Sequence, residues 1–253
     1  MSAGDAQARV QAAIDHRVAS GDEVGVQVAV VEHGRVMVDA VSGSADPSQG
    51  RAVAPDTLFW AASTAKGVAL VVAHVLVERG EPAYDLRAAD VWPEFGAHGK
   101  DRVTLRHVLL HTAGVPAPPY DTTVEQLCDW DHMCTVLAEA KPWWEPGSRF
   151  GYQAKTFGFL LGEIVRRATG RTLSWWLREV VTVPLGIGDE VHSGCPRSCW
   201  TGLPASSHRS DRRPRRPSRD RRSTGRCLPA SGPTPTTLIV GTSSPPTSPR
   251  RAP

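Results

Sequence analysis

The stretch that decides the fold is FWAASTAKGVALVVAHVL, residues 59–76. A short β-prone run opens it, and a long apolar segment without proline follows Ser63, which predicts a buried helix beginning near that serine. Ser63 and Lys66 are three residues apart, so their side chains lie on one face of the first helical turn. Lys66 is the only Lys, Arg, Asp or Glu in residues 57–77. A single cation at the mouth of an apolar helix indicates a functional position.

Ser63 and Lys66 together provide a nucleophile and a base. A serine hydroxyl is a weak nucleophile until a neighbouring base accepts its proton, and a lysine amine at this spacing can do so. We expect the backbone N–H groups of the first helical turn to hold a developing oxyanion. The alternative interpretation is that Ser63 only caps the helix and that Lys66 is a solvated residue of its first turn.

The net charge of +3 conceals two different segments in this 253-residue chain. Residues 1–192 carry 17 Lys and Arg against 24 Asp and Glu, whereas residues 193–253 carry 12 Arg, no Lys and 2 Asp. With 40% hydrophobic residues, the chain is long enough to bury a core. We therefore predict a folded domain over residues 1–192 and a separate tail over residues 193–253.

The N-terminal part predicts an α+β fold, with an antiparallel sheet packed against helices. An amphipathic helix is expected over residues 1–20, and valine-rich strands are expected over residues 24–32 and 35–42, joined by the turn at His33-Gly34. No apolar core of signal-peptide length and no long apolar span occur. The sequence therefore predicts a soluble, cytoplasmic protein without a membrane partner.

The second part of the domain predicts mainly helices. A capped helix should begin at Thr104 and end by Gly114, and further helices are expected over residues 123–141, 155–169 and 173–183. His107 and His111 are four apart and could pair as metal ligands. Without a third ligand nearby, we favour a surface or hydrogen-bonded structural role and predict no metal and no organic cofactor.

Tyr152 lies directly before the predicted helix over residues 155–169. A phenol beside a lysine ammonium ionises more easily than a free phenol and can carry a proton to a leaving group. The alternative interpretation is a packed aromatic anchor in a loop rich in turn residues.

Several short motifs occur together and in order: Ser63-Thr64-Ala65-Lys66, residues 111–116, Glu145-Pro146-Gly147, Tyr152 and residues 160–164. Their order and spacing resemble those of the serine β-lactamase and penicillin-binding-protein-like hydrolases. The similarity is to the branch that holds class C β-lactamases and EstB-type carboxylesterases, and it covers about residues 10–192. It implies a sheet packed with helices, a mostly helical subdomain and a serine hydrolase without a cofactor.

The resemblance also implies roles for single residues. Ser63 would be the acylated nucleophile, Lys66 its base partner and Tyr152 the first residue of a Tyr-x-Asn motif. The third position of that motif is Ala154, so the amide that would contact a substrate is missing, which favours carboxylic esters over penicillins. The implied activity is hydrolysis of a small-molecule ester. The alternatives are a β-lactamase or D-amino-acid peptidase, and a non-catalytic remnant or binding protein.

The segment after residue 192 departs further from this family, whose members carry a Lys-Thr-Gly or His-x-Gly motif on a strand beside the serine. His192-Ser193-Gly194 matches the letters, but it follows the helices too early and no strand is predicted around it. Residues 193–253 hold 11 Pro, 11 Ser and 12 Arg, which predicts disorder. We favour a frameshift or truncation over an Arg-rich arm for nucleic acid. The sheet should then be incomplete at its C-terminal side and the activity impaired.

Overall fold

The computed structural model describes residues 2–188, 190–193 and 238–240, which fall into two units. The first unit contains residues 2–60 and 239–240, and the second contains residues 61–188, 190–193 and 238. The first unit mixes helix and strand, whereas the second is mainly helical. The predicted α+β fold, with a partial antiparallel sheet, is confirmed.

The first unit is one long helix packed on a three-stranded antiparallel sheet. Ile14 of the helix is buried against Val38 and Ala40 of the second strand, so the apolar face of the helix covers the sheet. The expected helix and hairpin are confirmed, and the second strand extends further than predicted. The elements are α1 (Ala3–Ala19), β1 (Gly25–Glu32), β2 (Arg35–Asp46) and β3 (Arg51–Ala52).

A short strand, β4 (Phe59–Trp60), ends the first unit and pairs antiparallel with β6 (Leu238–Val240), with Phe59 opposite Val240. Strand β6 is the one apolar run within the segment that was predicted to be disordered. The rest of that segment, apart from Ser193, lies outside the described residues. The boundary at residue 192, the disorder and the frameshift therefore stay predictions.

The second unit is centred on the helix Thr156–Thr169, which packs against five other helices of this unit. Its buried side chains include Phe157, Leu160 and Ile164. Within the described ranges, no helix has the length and apolar character needed to cross a bilayer. The elements are α2 (Thr64–Glu78), α3 (Ala88–Val91), α4 (Leu105–Leu109), α5 (Val124–Leu127), α6 (Trp130–Glu139), α7 (Thr156–Thr169), α8 (Leu173–Leu177) and β5 (Val191–Ser193).

Four local expectations in this unit are corrected. The helix expected to begin at Thr104 and to be ended by Gly114 ends at Leu109, and His111 beyond it has a left-handed backbone. The helix predicted over residues 123–141 is two helices, because Asp129 accepts the N–H of His132 and caps a new helix at α6. The helix predicted over residues 173–183 changes to a π-helical turn after α8. Strand β5 contains the His-Ser pair around which no strand was predicted, and the hydroxyl of Ser174 donates to the carbonyl of Ser193 at 2.7 Å.

Lys100 is a fully buried cation that ties the end of α6 to the segment before α4. Its Nζ donates to the carbonyl oxygens of Ala97 and Ala138, each at 2.9 Å, and to that of Ala140. The ammonium also lies 5.2 Å from the ring centroid of Phe95. Burial lowers the pKa of Lys100 from 10.5 to about 8. The lysine therefore satisfies carbonyls that α6 leaves open at its C-terminal end.

Lys100→Met keeps the apolar stem but removes all the donors. Because an unsatisfied buried acceptor costs about 1–3 kcal/mol, we expect the free energy of unfolding to fall by about 2–4 kcal/mol in urea titrations at pH 7. The exposed Lys141→Met variant is the matched control.

The parent and Lys100→Met also test how the free energy of unfolding depends on pH. Between pH 8 and 10.5 the unfolded chain binds the Lys100 proton more fully than the folded chain, because the folded pKa is the lower one. The stability that Lys100 contributes should therefore rise with pH across this window. A difference between the parent and Lys100→Met that shrinks from pH 8 to 10 would contradict this assignment.

Candidate active site

Ser63 lies at the turn into α2, directly after a left-handed alanine. Ala62 has φ +43°, a conformation that costs a residue with a side chain about 1–3 kcal/mol. Ser63 has helical dihedral angles, and its side chain makes no capping hydrogen bond. Instead the Nζ of Lys66 donates to its Oγ at 3.4 Å. The serine hydroxyl thus contacts the lysine amine and does not act as a cap.

The backbone N–H groups at the start of α2 are already engaged. Those of residues 64–66 donate to the carbonyl oxygens of residues 61–63, at 3.0 to 3.2 Å. The expectation that the first turn offers these groups to an oxyanion is therefore wrong. Within the part of the chain that the structure describes, the N–H of Ser63 itself meets no acceptor. This N–H can therefore donate to an anion that binds beside Ser63 Oγ.

Tyr152 lies in the loop before α7, and 47% of it is exposed. The Nζ of Lys66 is 5.1 Å from the centroid of its ring. A hydrogen bond with Ser63 lowers the pKa of the Tyr152 phenol below 10, slight burial opposes this, and a hydrogen bond and the charge of Lys66 lower the pKa further. The structure thus brings the three predicted site residues together.

The sequence favoured a surface or hydrogen-bonded structural role for His111, and the structure places this residue against the same tyrosine. His111 lies just past the end of α4 with φ +58°. Its ring centroid is 5.0 Å from that of Tyr152, and its Nδ1 is 3.2 Å from the backbone N of Gln153. The motif that begins at His111 is a signal in the sequence, but its contact with Tyr152 is visible only in the structure.

The two histidines expected on one helix face have separate roles. His107 accepts the N–H of Thr104 through Nδ1 at 3.2 Å, which completes a capping box at the start of α4. His111 lies beyond that helix and contacts Tyr152. Across residues 2–188 and 190–193, no three His, Cys, Asp or Glu side chains cluster as a metal site.

Gly151 allows the Tyr152 loop to pack closely against Trp144. A Cβ placed on Gly151 would lie 2.1 Å from the Trp144 ring, far inside van der Waals contact. The N–H of Gly151 donates to the carbonyl of His111 at 2.9 Å. The loop before Tyr152 is therefore fixed by a ring on one side and by the backbone of His111 on the other.

A small cavity of about 60 Å³ lies beside Lys66. Ala65 and Ala69 of α2 line one side, and Ala154 and Gly158 line the other. Ala154 occupies the position at which a Tyr-x-Asn motif would carry its amide. Without that amide the space beside the lysine stays open.

The lowered pKa of Tyr152 predicts a measurable titration. The absorbance change at 295 nm that Tyr152→Phe removes should have its midpoint below pH 10 in the parent. Ser63→Ala should raise this midpoint toward 10, because the hydrogen bond with Ser63 is the largest cause of the shift. Ser148→Ala, which removes a hydroxyl bonded to the carbonyl of Glu145, should leave it unchanged. Equal titration midpoints in the parent and Ser63→Ala would refute the interaction between Ser63 and the Tyr152 phenol.

Comparison with known proteins shows the family of this chain. The model of the family described as Beta-lactamase matches residues 10–237. The chain is 34% identical over 175 residues to the esterase/beta-lactamase LipL of Mycobacterium tuberculosis. The aligned region is 68% of this chain and 39% of LipL. It is 32% identical over 206 residues to esterase EstB of Burkholderia gladioli. The aligned region is 75% of this chain and 52% of EstB.

Solved structures give the same picture. A family VIII carboxylesterase superposes with a TM-score of 0.71 at 37% identity and covers 78% of this chain and 54% of that chain. A penicillin-binding protein homolog from Caulobacter crescentus superposes with a TM-score of 0.70 at 39% identity. The superposed region covers 78% of this chain and 53% of that chain. The chain spans about half the length of these proteins, or less for LipL.

Proposed function

Because the chain belongs to the beta-lactamase family, we propose that it is a serine hydrolase that cleaves small carboxylic esters through an acyl-enzyme on Ser63. One observation carries the proposal. The Nζ of Lys66 donates to the Oγ of Ser63 at 3.4 Å and lies 5.1 Å from the centroid of the Tyr152 ring. A hydroxyl with two proton-transferring partners is an activated nucleophile.

The proposed reaction has two halves. As Ser63 Oγ attacks the ester carbonyl carbon, its proton passes to the Lys66 and Tyr152 pair, and the N–H of Ser63 holds the oxyanion. The C–O bond to the alcohol then breaks, and the pair returns the proton to the departing oxygen. A water gives a proton to the same pair and attacks the acyl carbon. The bond from that carbon to Ser63 Oγ then breaks, the acid leaves, and the pair returns the proton to Oγ.

Two features favour esters over β-lactams. Ala154 provides no amide for the acylamino group of a β-lactam, and an unmet polar group on a buried ligand is costly. Two of the matched proteins are named an esterase and a carboxylesterase. We therefore assign a small-molecule ester as the substrate. The cytoplasmic location expected from the sequence stays a prediction.

We further propose that turnover by this chain is slow. Within the described ranges, the N–H of Ser63 is the one oxyanion donor identified at the site. Loss of a single oxyanion donor typically lowers kcat by about 10² to 10³. Release of the acyl group depends on the same donor, so acylated Ser63 should persist.

The test compares hydrolysis of p-nitrophenyl acetate with that of a chromogenic cephalosporin. We expect a burst of about one p-nitrophenolate per chain, then slow steady release. We expect no hydrolysis of the cephalosporin. Faster cephalosporin hydrolysis would favour the β-lactamase alternative. A folded protein without any burst would favour a non-catalytic binding protein.

A further inference from the structure

We infer that His111 is a positioning residue that holds Tyr152 in place beside Ser63 and Lys66. The kinetic consequence rests on the proposed function, whereas the structural consequence does not. His111 makes no contact with the nucleophile in the structure, so any effect on proton transfer must pass through Tyr152.

The backbone on both sides of Tyr152 is bonded to His111. The N–H of Gly151 donates to the carbonyl oxygen of His111 at 2.9 Å. The N–H of Gln153 donates to its ring Nδ1 at 3.2 Å. One residue therefore receives both hydrogen bonds that flank the tyrosine, and it fixes where the phenol emerges from the loop.

The left-handed backbone of His111 brings both acceptors to the same loop. A φ of +58° is uncommon for a residue with a side chain, and such conformations persist only where the surroundings stabilise them. At His111 the stabilising contacts are the two loop N–H groups and the rings of Phe150 and Phe157, whose centroids lie 5.9 and 5.1 Å away.

The imidazole must be neutral for this arrangement, because only an unprotonated Nδ1 accepts a hydrogen bond. Burial lowers the pKa of His111 below 6.5, a hydrogen bond with Gln153 opposes this, and the charge of Lys66 lowers it further. Among the residues that the structure describes, the titratable groups that face the ring are Lys66 of α2 and Tyr152. Phe150, Phe157 and Gln153, its other neighbours, do not titrate.

Protonation exchanges the hydrogen-bond partner of the ring. The side-chain Oε1 of Gln153 lies 3.2 Å from Nδ1, so a protonated Nδ1 donates to that oxygen. It then no longer accepts the backbone N–H of the same residue. Gln153 is 99% buried, so its freed N–H has no water to replace the bond. Acid should therefore release one of the two bonds that hold Tyr152.

The kinetic test uses two substitutions that tolerate the left-handed backbone. His111→Asn keeps an acceptor near the Nδ1 position, and His111→Gly removes it. For p-nitrophenyl acetate, His111→Gly should lower kcat by about 10- to 100-fold, because a small misplacement of a proton-transferring group is costly, with KM nearly unchanged. His111→Asn should stay within about threefold of the parent and lose the acid-side fall in kcat that the parent shows below about pH 6.5.

The second readout needs no activity. The Tyr152 titration at 295 nm should shift toward 10 in His111→Gly and stay at the parent midpoint in His111→Asn. If His111→Gly does not fold, as judged by near-ultraviolet circular dichroism, the pH profile of His111→Asn decides, and an acid-side fall in kcat equal to that of the parent overturns the inference. A folded His111→Gly with the parent kcat and midpoint overturns the inference, and so does an equal loss in both variants. An inactive parent with the predicted midpoint shifts removes the proposed function and leaves the positioning role standing.

Discussion

Ser63→Ala should abolish covalent labelling by a fluorophosphonate probe. The parent chain should gain the mass of one probe adduct. The probe phosphorus takes the place of the ester carbonyl carbon, so only the activated oxygen can form the adduct. We expect the labelling rate to fall by more than about 10³-fold, as for other serine nucleophiles. Intact mass spectrometry after timed incubation measures it directly.

Two controls define this result. Lys66→Ala should slow labelling without removing it, since the Lys66 amine activates the oxygen but does not form the bond. Ser148→Ala, in the loop before Tyr152, should label like the parent. If Ser63→Ala were labelled at the rate of the parent, another residue would be the one that reacts, and the proposed nucleophile would be wrong.

Glu163→Leu should have the largest effect on stability. Glu163 is 99% buried in α7 and accepts the indole N–H of Trp130 at 2.9 Å. Its carboxylate also accepts two hydrogen bonds from Arg166, at 2.6 and 2.8 Å, and one from Arg167 at 2.6 Å. Removing the carboxylate leaves the Arg166 guanidinium and the Trp130 indole without this acceptor, whereas Arg167 keeps its bond to Glu94. We expect a loss of about 3 to 5 kcal/mol in the free energy of unfolding.

The charge of Glu163 predicts a pH dependence as well. Burial raises the pKa of Glu163, but hydrogen bonds from Arg166, Arg167 and Trp130 outweigh this and lower the pKa from 4.5 to about 2. The stabilisation is therefore present above pH 4.5 and is lost as pH falls toward 2, roughly 3 kcal/mol in all.

Glu163→Gln isolates this contribution, because it keeps the size of the side chain and removes the titration. Its stability difference from the parent should be largest at pH 6 and should shrink as pH falls from 5 to 3. Glu125→Gln, at an exposed position of α5, should match the parent throughout. A difference for Glu163→Gln that is constant with pH would rule out ionisation as its cause.

Local periodicity was sufficient to predict much of this fold and the first two site residues. The hairpin at His33-Gly34 and the helix after Ser63 depend on neighbours in sequence, and helical spacing alone places Lys66 beside the serine. Tyr152 required the joint pattern of motifs, because its partners are far away in the chain.

The remaining features depend on contacts that no short pattern contains. Ala62, directly before Ser63, and His111, which is bonded to the Tyr152 loop, have left-handed conformations that no sequence pattern indicates. The tight turn at residues 61–66 uses the N–H groups that a regular helix start would leave open. The break between α5 and α6 depends on the side chain of Asp129, which a periodic apolar pattern masks.

The small cavity beside Lys66 limits how this site can diversify. Its helical walls include Ala65 and Ala69 of α2 and Gly158 of α7, which leave almost nothing to trim. Alanine-to-glycine changes in α2 would each cost about 1 kcal/mol of helix stability for the gain of a single methyl volume. Other point substitutions at these small residues can only narrow the cavity, so truncation can widen it further only at its larger lining side chains, Lys66, Lys155 and Phe157.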